Sequence, residues 1–271
     1  MSTVVIQAYD AGAVVIQAYD AGTIVETQGP TGPVLPTALL VEAWEATSLV
    51  LSDGAQIPSI TGLILGKALA QATAGSRPLY RANLNASGYP GMDFDGADDY
   101  LWSADATLNA VFSEAGANSP DVTIYAVVNG AGSNAKWSMA AGSSSSDTPI
   151  LGIQSNASTS ETFYIRNDGG TLRLAVSTTA VAASTRVITM QLLASGSHNT
   201  WDNRTARVAG GTPAGSGPYT FNRLCIGGLL RSVFSNASTQ DWHALYIADT
   251  VHDATARATV WDYIAATWGT P

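Results

Sequence analysis

Apolar residues along this chain gather in short runs separated by glycine, asparagine, aspartate and serine. The runs at 122–128, 137–140, 150–154, 163–166, 172–176, 187–193, 205–208, 224–226 and 243–247 are of strand length and rich in valine, isoleucine, threonine and aromatic residues, which suit a pleated, half-buried surface. Large side chains alternate at Leu172, Leu174 and Val176, and again at Ile188, Met190 and Leu192; a period of two sends one set to one face of a sheet. Asn167-Asp168-Gly169-Gly170 between two runs is a hairpin turn signal. Many short strands with this punctuation predict an all-β antiparallel sandwich, two sheets packed face to face. Helical spacing is confined mainly to the end, where Val260, Ile264 and Trp268 recur on one stripe, Asp253 can cap the start and Gly269 can stop the helix. A single stripe implies packing against the outside of a sheet.

The first residues follow a different rule. Val4-Val5-Ile6-Gln7-Ala8-Tyr9-Asp10-Ala11-Gly12 recurs unchanged as residues 14–22, a period of ten, and a third unit begins at Thr23-Ile24-Val25 before diverging. Each unit is a β-prone run closed by Asp-Ala-Gly, so it reads as strand then turn. Hairpin-sized pieces are marginal alone in water. These units are therefore expected to dock on their own sandwich, on a sister subunit or on a larger assembly; the competing explanation is a duplication tolerated at a loose terminus. Val4, Val5, Ile6 and Tyr9, with Val14, Val15, Ile16 and Tyr19, are the candidate anchoring residues. Gln28-Gly29-Pro30-Thr31-Gly32-Pro33 and then Pro36 read as an extended connector. The expected organisation is an anchor over residues 1–36 and a sandwich over 37–271.

Composition narrows the function. Charged residues make up 12% of the 271, the net charge is −9, and the lysines are Lys67 and Lys136 alone. No basic stripe is available to a phosphate backbone, so nucleic acid is not an expected partner. The acidity equally disfavours anionic lipid, and no apolar run approaches the roughly 20 residues of a spanning helix, so no membrane association is expected. The single cysteine, Cys225, excludes an intrachain disulfide and a multi-cysteine metal site, and reads as a buried structural thiol. The opening residues lack a basic region followed by an apolar core, so secretion by the general export route is not expected.

Signatures of catalysis are missing. No strand carries the paired glutamates that glycoside hydrolysis would use as nucleophile and general acid, and His198, His243 and His252 lack the spacing of a zinc-binding helix. No Gly-x-Ser-x-Gly elbow, P-loop or dinucleotide fingerprint stands out. Glu42 and Glu45, the glutamates nearest one another, fall on a segment that reads as a surface helix or loop. The expectation is no catalytic residue, no cofactor and no metal. Asp93, Asp95, Asp98 and Asp99 could offer oxygens to Ca²⁺, but solvated turn residues are the plainer reading, and alternation places Asp93 and Asp95 away from Asp98 and Asp99. Sugar binding calls for an aromatic platform beside amides and carboxylates. The stretch His198 to Asn203 has this mixture in a loop-like context, which makes Asn199, Trp201, Asp202 and Asn203 the candidate ligand-binding residues. Trp44, Trp102, Trp242, Trp261 and Trp268 read as core or helix-packing residues.

A longer order links separate stretches. Ala74-Gly75-Ser76-Arg77-Pro78 precedes Phe94-Asp95-Gly96-Ala97-Asp98-Asp99-Tyr100-Leu101; Ile226-Gly227-Gly228 follows, and the chain closes on Trp242-His243-Ala244-Leu245-Tyr246-Ile247 and a helix ending Ala265-Ala266-Thr267-Trp268-Gly269. Over residues 39–269 this order resembles the laminin-G-like branch of the concanavalin A-like lectin/glucanase superfamily, in the form met in bacteriophage virion proteins. One departure stands out: where many relatives open the last strand with Gly-x-x-Glu, this chain has Asp241-Trp242-His243-Ala244. The resemblance implies a concanavalin A-like antiparallel β-sandwich, or jelly roll, with one short C-terminal helix. It further implies a non-enzymatic virion protein, a head fibre, decoration or tail-associated adhesin, with a host-surface glycan as ligand. Other virion proteins would be its partners through residues 1–36, a homo-oligomer its state and the virion, assembled in the host cytoplasm, its location. A purely structural cement protein and a bacterial surface carbohydrate-binding module are the alternatives.

Overall fold

The computed structural model describes residues 4–10, 13–20, 23–28, 32–116, 118–130, 136–144, 148–156, 160–170, 172–176, 184–208, 217–231 and 233–270. Each repeat unit forms a strand: β1 (Val4–Asp10), β2 (Ala13–Asp20) and β3 (Thr23–Gln28) pair antiparallel as a three-stranded sheet. Only the backbone of these strands is described. The candidate anchoring side chains of Val4, Val5, Ile6, Tyr9, Val14, Val15, Ile16 and Tyr19, and residues 29–31 of the connector, lie outside the described residues.

The remainder of the chain builds two eight-stranded antiparallel sheets. In chain order the elements are β4 (Glu42–Glu45), β5 (Ser59–Thr61), β6 (Ala68–Ala70), β7 (Leu79–Arg81), β8 (Gly91–Asp93), β9 (Leu101–Ser103), a short helix α1 (Ala106–Ala110), β10 (Val122–Asn129), β11 (Lys136–Gly142), β12 (Ile150–Asn156), β13 (Ser160–Arg166), β14 (Leu172–Val176), β15 (Arg186–Leu192), β16 (His198–Asp202), β17 (Thr205–Val208), β18 (Arg223–Ile226), the small hairpin β19 (Leu229–Leu230) and β20 (Phe234–Ser235), β21 (Asp241–Ala248) and helix α2 (Ala254–Trp268). The first sheet runs β17-β16-β15-β10-β21-β8-β7, with β4 also paired to β21; the second runs β14-β13-β12-β11-β18-β9-β6-β5. The nine apolar runs of the sequence are β10 to β15, β17, β18 and β21.

Between the sheets, inward-facing residues fill one core: Ile124, Ala126 and Val128 of β10, Ile188, Met190 and Leu192 of β15, Leu245 and Ile247 of β21, facing Met139, Leu151, Ile153, Phe163, Ile165, Leu224 and Ile226. The alternate residues of the first sheet, Tyr125, Val127, Val187, Ala244 and Tyr246, meet Val260, Trp261, Ile264 and Trp268 of α2 in a second core. Every position of β10 and β21 is therefore buried, which explains their near-continuous apolar reading. Helix α2 ends as its sequence suggests. The Asp253 carboxylate accepts from the Ala256 N–H at 2.8 Å, and Gly269 closes the helix at φ 62°.

The scattered motif of the sequence converges in space. Gly227, at φ +87°, lies against the Phe94 ring, and a Cβ there would also come within 2.8 Å of the Asp99 carbonyl oxygen. Ser76 donates to Asp98 at 2.7 Å and its carbonyl accepts from the Tyr100 N–H at 3.2 Å. The linked spacing thus encodes one junction, where the chain crosses from β8 in the first sheet to β9 in the second.

Two expectations are corrected. The segment at Glu42 and Glu45 is neither surface helix nor loop; it is β4, buried at all four positions, because both of its faces are covered and both carboxylates find donors. His198 to Asp202 is strand β16 rather than loop, because it pairs with β15 on one side and β17 on the other.

Candidate functional site

Strand alternation divides the sequence-predicted residues between two environments. Asn199 and Trp201 point to the α2 side of the first sheet, where the Trp201 ring meets Trp261 edge-on at 6.1 Å and the Arg257 guanidinium lies 4.3 Å from its centroid. Asp202 points between the sheets and holds Arg186 at 3.6 Å and Arg207 at 3.5 Å. Asn203 turns the chain at φ 46°, its carboxamide oxygen accepting from the Val187 N–H at 2.9 Å. His198 and Thr200 share the inward side with Asp202. Both ring nitrogens of His198 and the Thr200 hydroxyl have no partner, and burial pushes the His198 pKa down. Buried polar atoms of this kind are positions for ordered water.

A better-formed polar and aromatic surface lies on the outer face of the second sheet, opposite α2. Cross-strand register places Arg166, Ile150 and Gly142 in one row, Tyr164, Gly152 and Ala140 in the next, and Thr162, Gln154 and Trp137 in a third. Gly152 has no side chain for a reason: a Cβ there would overlap the Met139 carbonyl and sit 3.1 Å from Cζ3 of Trp137. The Trp137 ring therefore lies across the sheet as a buried floor, with Leu229 of the small hairpin beside it. Half-buried Tyr164 stands edge-on to Trp137 at 4.9 Å, and the Arg166 guanidinium sits 5.6 Å from the Tyr164 ring while donating to its hydroxyl at 3.0 Å. Among the described residues Arg166 has no carboxylate partner, and its Nε is buried without an acceptor. Gln154 is half-exposed beside them. An aromatic ring, an amide and a guanidinium with no carboxylate partner among the described residues thus share one face of the sheet. The sequence concealed it, because its members come from β11, β12 and β13 and meet only through register. Trp102 of β9 belongs to the same outer face, beneath the Arg223 guanidinium at 5.3 Å.

A second opening, of about 480 Å³, lies at one end of the sandwich between Thr107, Ser113, Glu114, Ser119, Asp121 and Asp249. Two of its carboxylates are engaged locally: Glu114 accepts from the Gly116 N–H at 2.9 Å and Asp121 from the Ala194 N–H at 2.5 Å.

The acidic turn after β8 differs from its sequence reading, since Asp95 joins Asp98 and Asp99, their ligand atoms within 4.8 Å of one another. The turn is tight enough to fold Asp95 back: Asp95 accepts from the Ala97 N–H at 2.8 Å, and the Asp99 carboxylate accepts from the Asp95 N–H at 3.1 Å. Burial and the charges of Asp95, Asp98 and Asp93 push the Asp99 pKa up to about 6, against the pull of that N–H. Because the folded-state pKa exceeds the unfolded one, the folded state takes up a proton that the unfolded state does not between about pH 4 and pH 6. This contribution to stability is complete below about pH 4 and is lost as pH rises through 6. Asp99→Asn keeps the acceptor and removes the charge. It is expected to be more stable than the parent at pH 7, with the difference closing below pH 4, as read by urea unfolding at the two pH values.

These layers define an all-β antiparallel sandwich closed by one C-terminal helix. The chain matches no protein-family model and no curated protein sequence. Among solved structures it is similar to Trypanosoma rangeli sialidase in complex with sialic acid, at TM-score 0.60 and 10% identity, over 94% of this chain and 43% of that one. It is similar to the binding domain of Paraclostridial Mosquitocidal Protein 1 at TM-score 0.55 and 10% identity, over 87% of this chain and 56% of that one. The Ruminococcus gnavus IT-sialidase CBM40 bound to α2,3 sialyllactose overlaps 80% of this chain and 97% of its own, at TM-score 0.49 and 10% identity. The chain spans about half the length, or less, of the sialidase and toxin-domain chains. At these identities the first two likenesses establish the fold.

Proposed function

We propose that this chain is a non-enzymatic, lectin-like module that binds a glycan carrying a negative group on the outer face of its second sheet, and that residues 1–36 anchor the sandwich of residues 37–271 to a virion. The observation that carries the reading is the Tyr164–Arg166 pair on its Trp137 floor. A sugar's C–H face stacks on a ring, its hydroxyls bond an amide, and a carboxylate or sulfate answers a guanidinium that has no carboxylate partner among the described residues. The virion setting is supported by the ordered sequence motifs, and weak single sites suit a particle that displays many copies.

Glycan-array binding followed by titration tests the reading. Tyr164→Ala is expected to weaken the best glycan about tenfold, in keeping with the ~1.4 kcal/mol of one stacked ring, and Arg166→Gln to remove the preference for acidic over neutral sugars. Trp201→Ala is expected to lower stability with little change in affinity, because α2 and Arg257 already occupy that ring. Absence of glycan binding, with loss of particle attachment on removal of residues 1–36, would instead favour a purely structural cement role.

A further inference from the structure

The two outer edges of the N-terminal sheet are complementary, and we propose that copies of this chain assemble by continuing that sheet, β1 of one copy pairing antiparallel with β3 of the next. The inference stands apart from the glycan reading. β1 and β2 share the sequence Val-Val-Ile-Gln-Ala-Tyr-Asp. Both ladders of the sheet follow one register rule: Ile6 opposes Gln17 and Ile16 opposes Thr27, so the third position of a unit always faces the fourth of its neighbour.

Among the described residues β1 and β3 are each paired on one edge only, and the other edge of each offers a row of N–H and C=O groups. Those groups alternate along a strand, odd positions serving one edge and even positions the other. Two β1 strands would present the same set of positions to each other, so a two-fold pairing breaks the third-to-fourth register. β1 and β3 present opposite sets. Their pairing keeps the register, with Gln7 facing Glu26 of the partner subunit and Tyr9 facing Ile24 of the partner subunit. Charge agrees, since β1 carries none from Val4 to Tyr9, whereas two β3 strands would crowd Glu26 against Glu26 of the partner subunit. Such head-to-tail contacts close into a ring or run on as a filament, and either multiplies the faces displayed.

Cysteine pairing in the full chain tests the register. Within one chain β1 and β3 are separated by β2, about 9–10 Å apart and beyond disulfide reach; across the proposed contact Gln7 and Glu26 are directly opposed. Oxidised Gln7→Cys/Glu26→Cys is expected to give a ladder of covalent oligomers, and Gln7→Cys/Thr27→Cys, one residue out of register, far less. The unmodified chain is expected to sediment as an oligomer. Cys225 is buried and stays silent. A monomer in sedimentation, equal cross-linking by both variants, or covalent dimers from Gln7→Cys alone would overturn the proposal, whatever the outcome of the glycan titrations.

Discussion

Glu42→Ala is expected to lower the unfolding free energy by about 3–5 kcal/mol, because it strips a buried carboxylate from several backbone donors at once. Glu42 is fully buried in β4, and its carboxylate accepts from the N–H groups of Ala43 at 3.1 Å, Ile64 at 2.9 Å, Leu65 at 3.3 Å and Lys67 at 2.9 Å. It therefore holds the 62–67 loop in the way a strand partner would. Gly62 fits the arrangement, since a Cβ there would overlap the Glu42 carboxylate. For a domain of this size the loss corresponds to a Tm lower by on the order of 10 °C, measurable by urea and thermal unfolding. Glu42→Gln, which sets an amide donor against a backbone N–H, should lose about 1–3 kcal/mol. A loss below 1 kcal/mol for Glu42→Ala would show that water replaces the carboxylate.

Glu45→Ala is expected to cost a similar 3–5 kcal/mol and to loosen α2 from the sandwich. Its Oε1 accepts from the hydroxyls of Tyr246 and Tyr263, each at 2.7 Å, and Trp268 Nε1 donates to the Tyr246 hydroxyl at 2.8 Å. One carboxylate thus joins β4, β21 and α2, and Trp268 ties a second turn of the helix to the same Tyr246 hydroxyl. Burial, reinforced by the Glu45 charge, holds both tyrosine pKa values above the ordinary phenol value, so both remain donors. Tyr263→Phe leaves Glu45 with the Tyr246 donor and should lose about 1–2 kcal/mol. In a double-mutant cycle with Glu45→Ala the two losses should fail to add, and near-UV circular dichroism of Trp261 and Trp268 should report the undocking.

These two glutamates show where reading the chain stops. Strands β10 to β15 and β21 were legible because burial writes itself into local composition and alternation. Helix α2 was legible because its cap, stripe and stop are neighbours in sequence. β4 was not: a strand bounded by two glutamates violates the pattern of a buried strand, and only donors from 62–67, Tyr246 and Tyr263 make it stable there. β16 reads as a loop because its polar residues resemble surface chemistry; pairing on both edges and the cover of α2 decide otherwise. The face around Tyr164 was hidden for a further reason. Trp137, Gln154, Tyr164 and Arg166 belong to three strands, and their meeting depends on register and on the bare backbone at Gly152.

The amino-acid sequence alone determined the all-β class, the docked terminal helix and the strands of the N-terminal repeat, since each follows from residues within a few positions of one another. The tertiary structure decided which polar residues go inside and which strands share a face. Those outcomes depend on the partners a buried charge finds across the sheets, and the free energy of burying a carboxylate is set by donors distant along the chain.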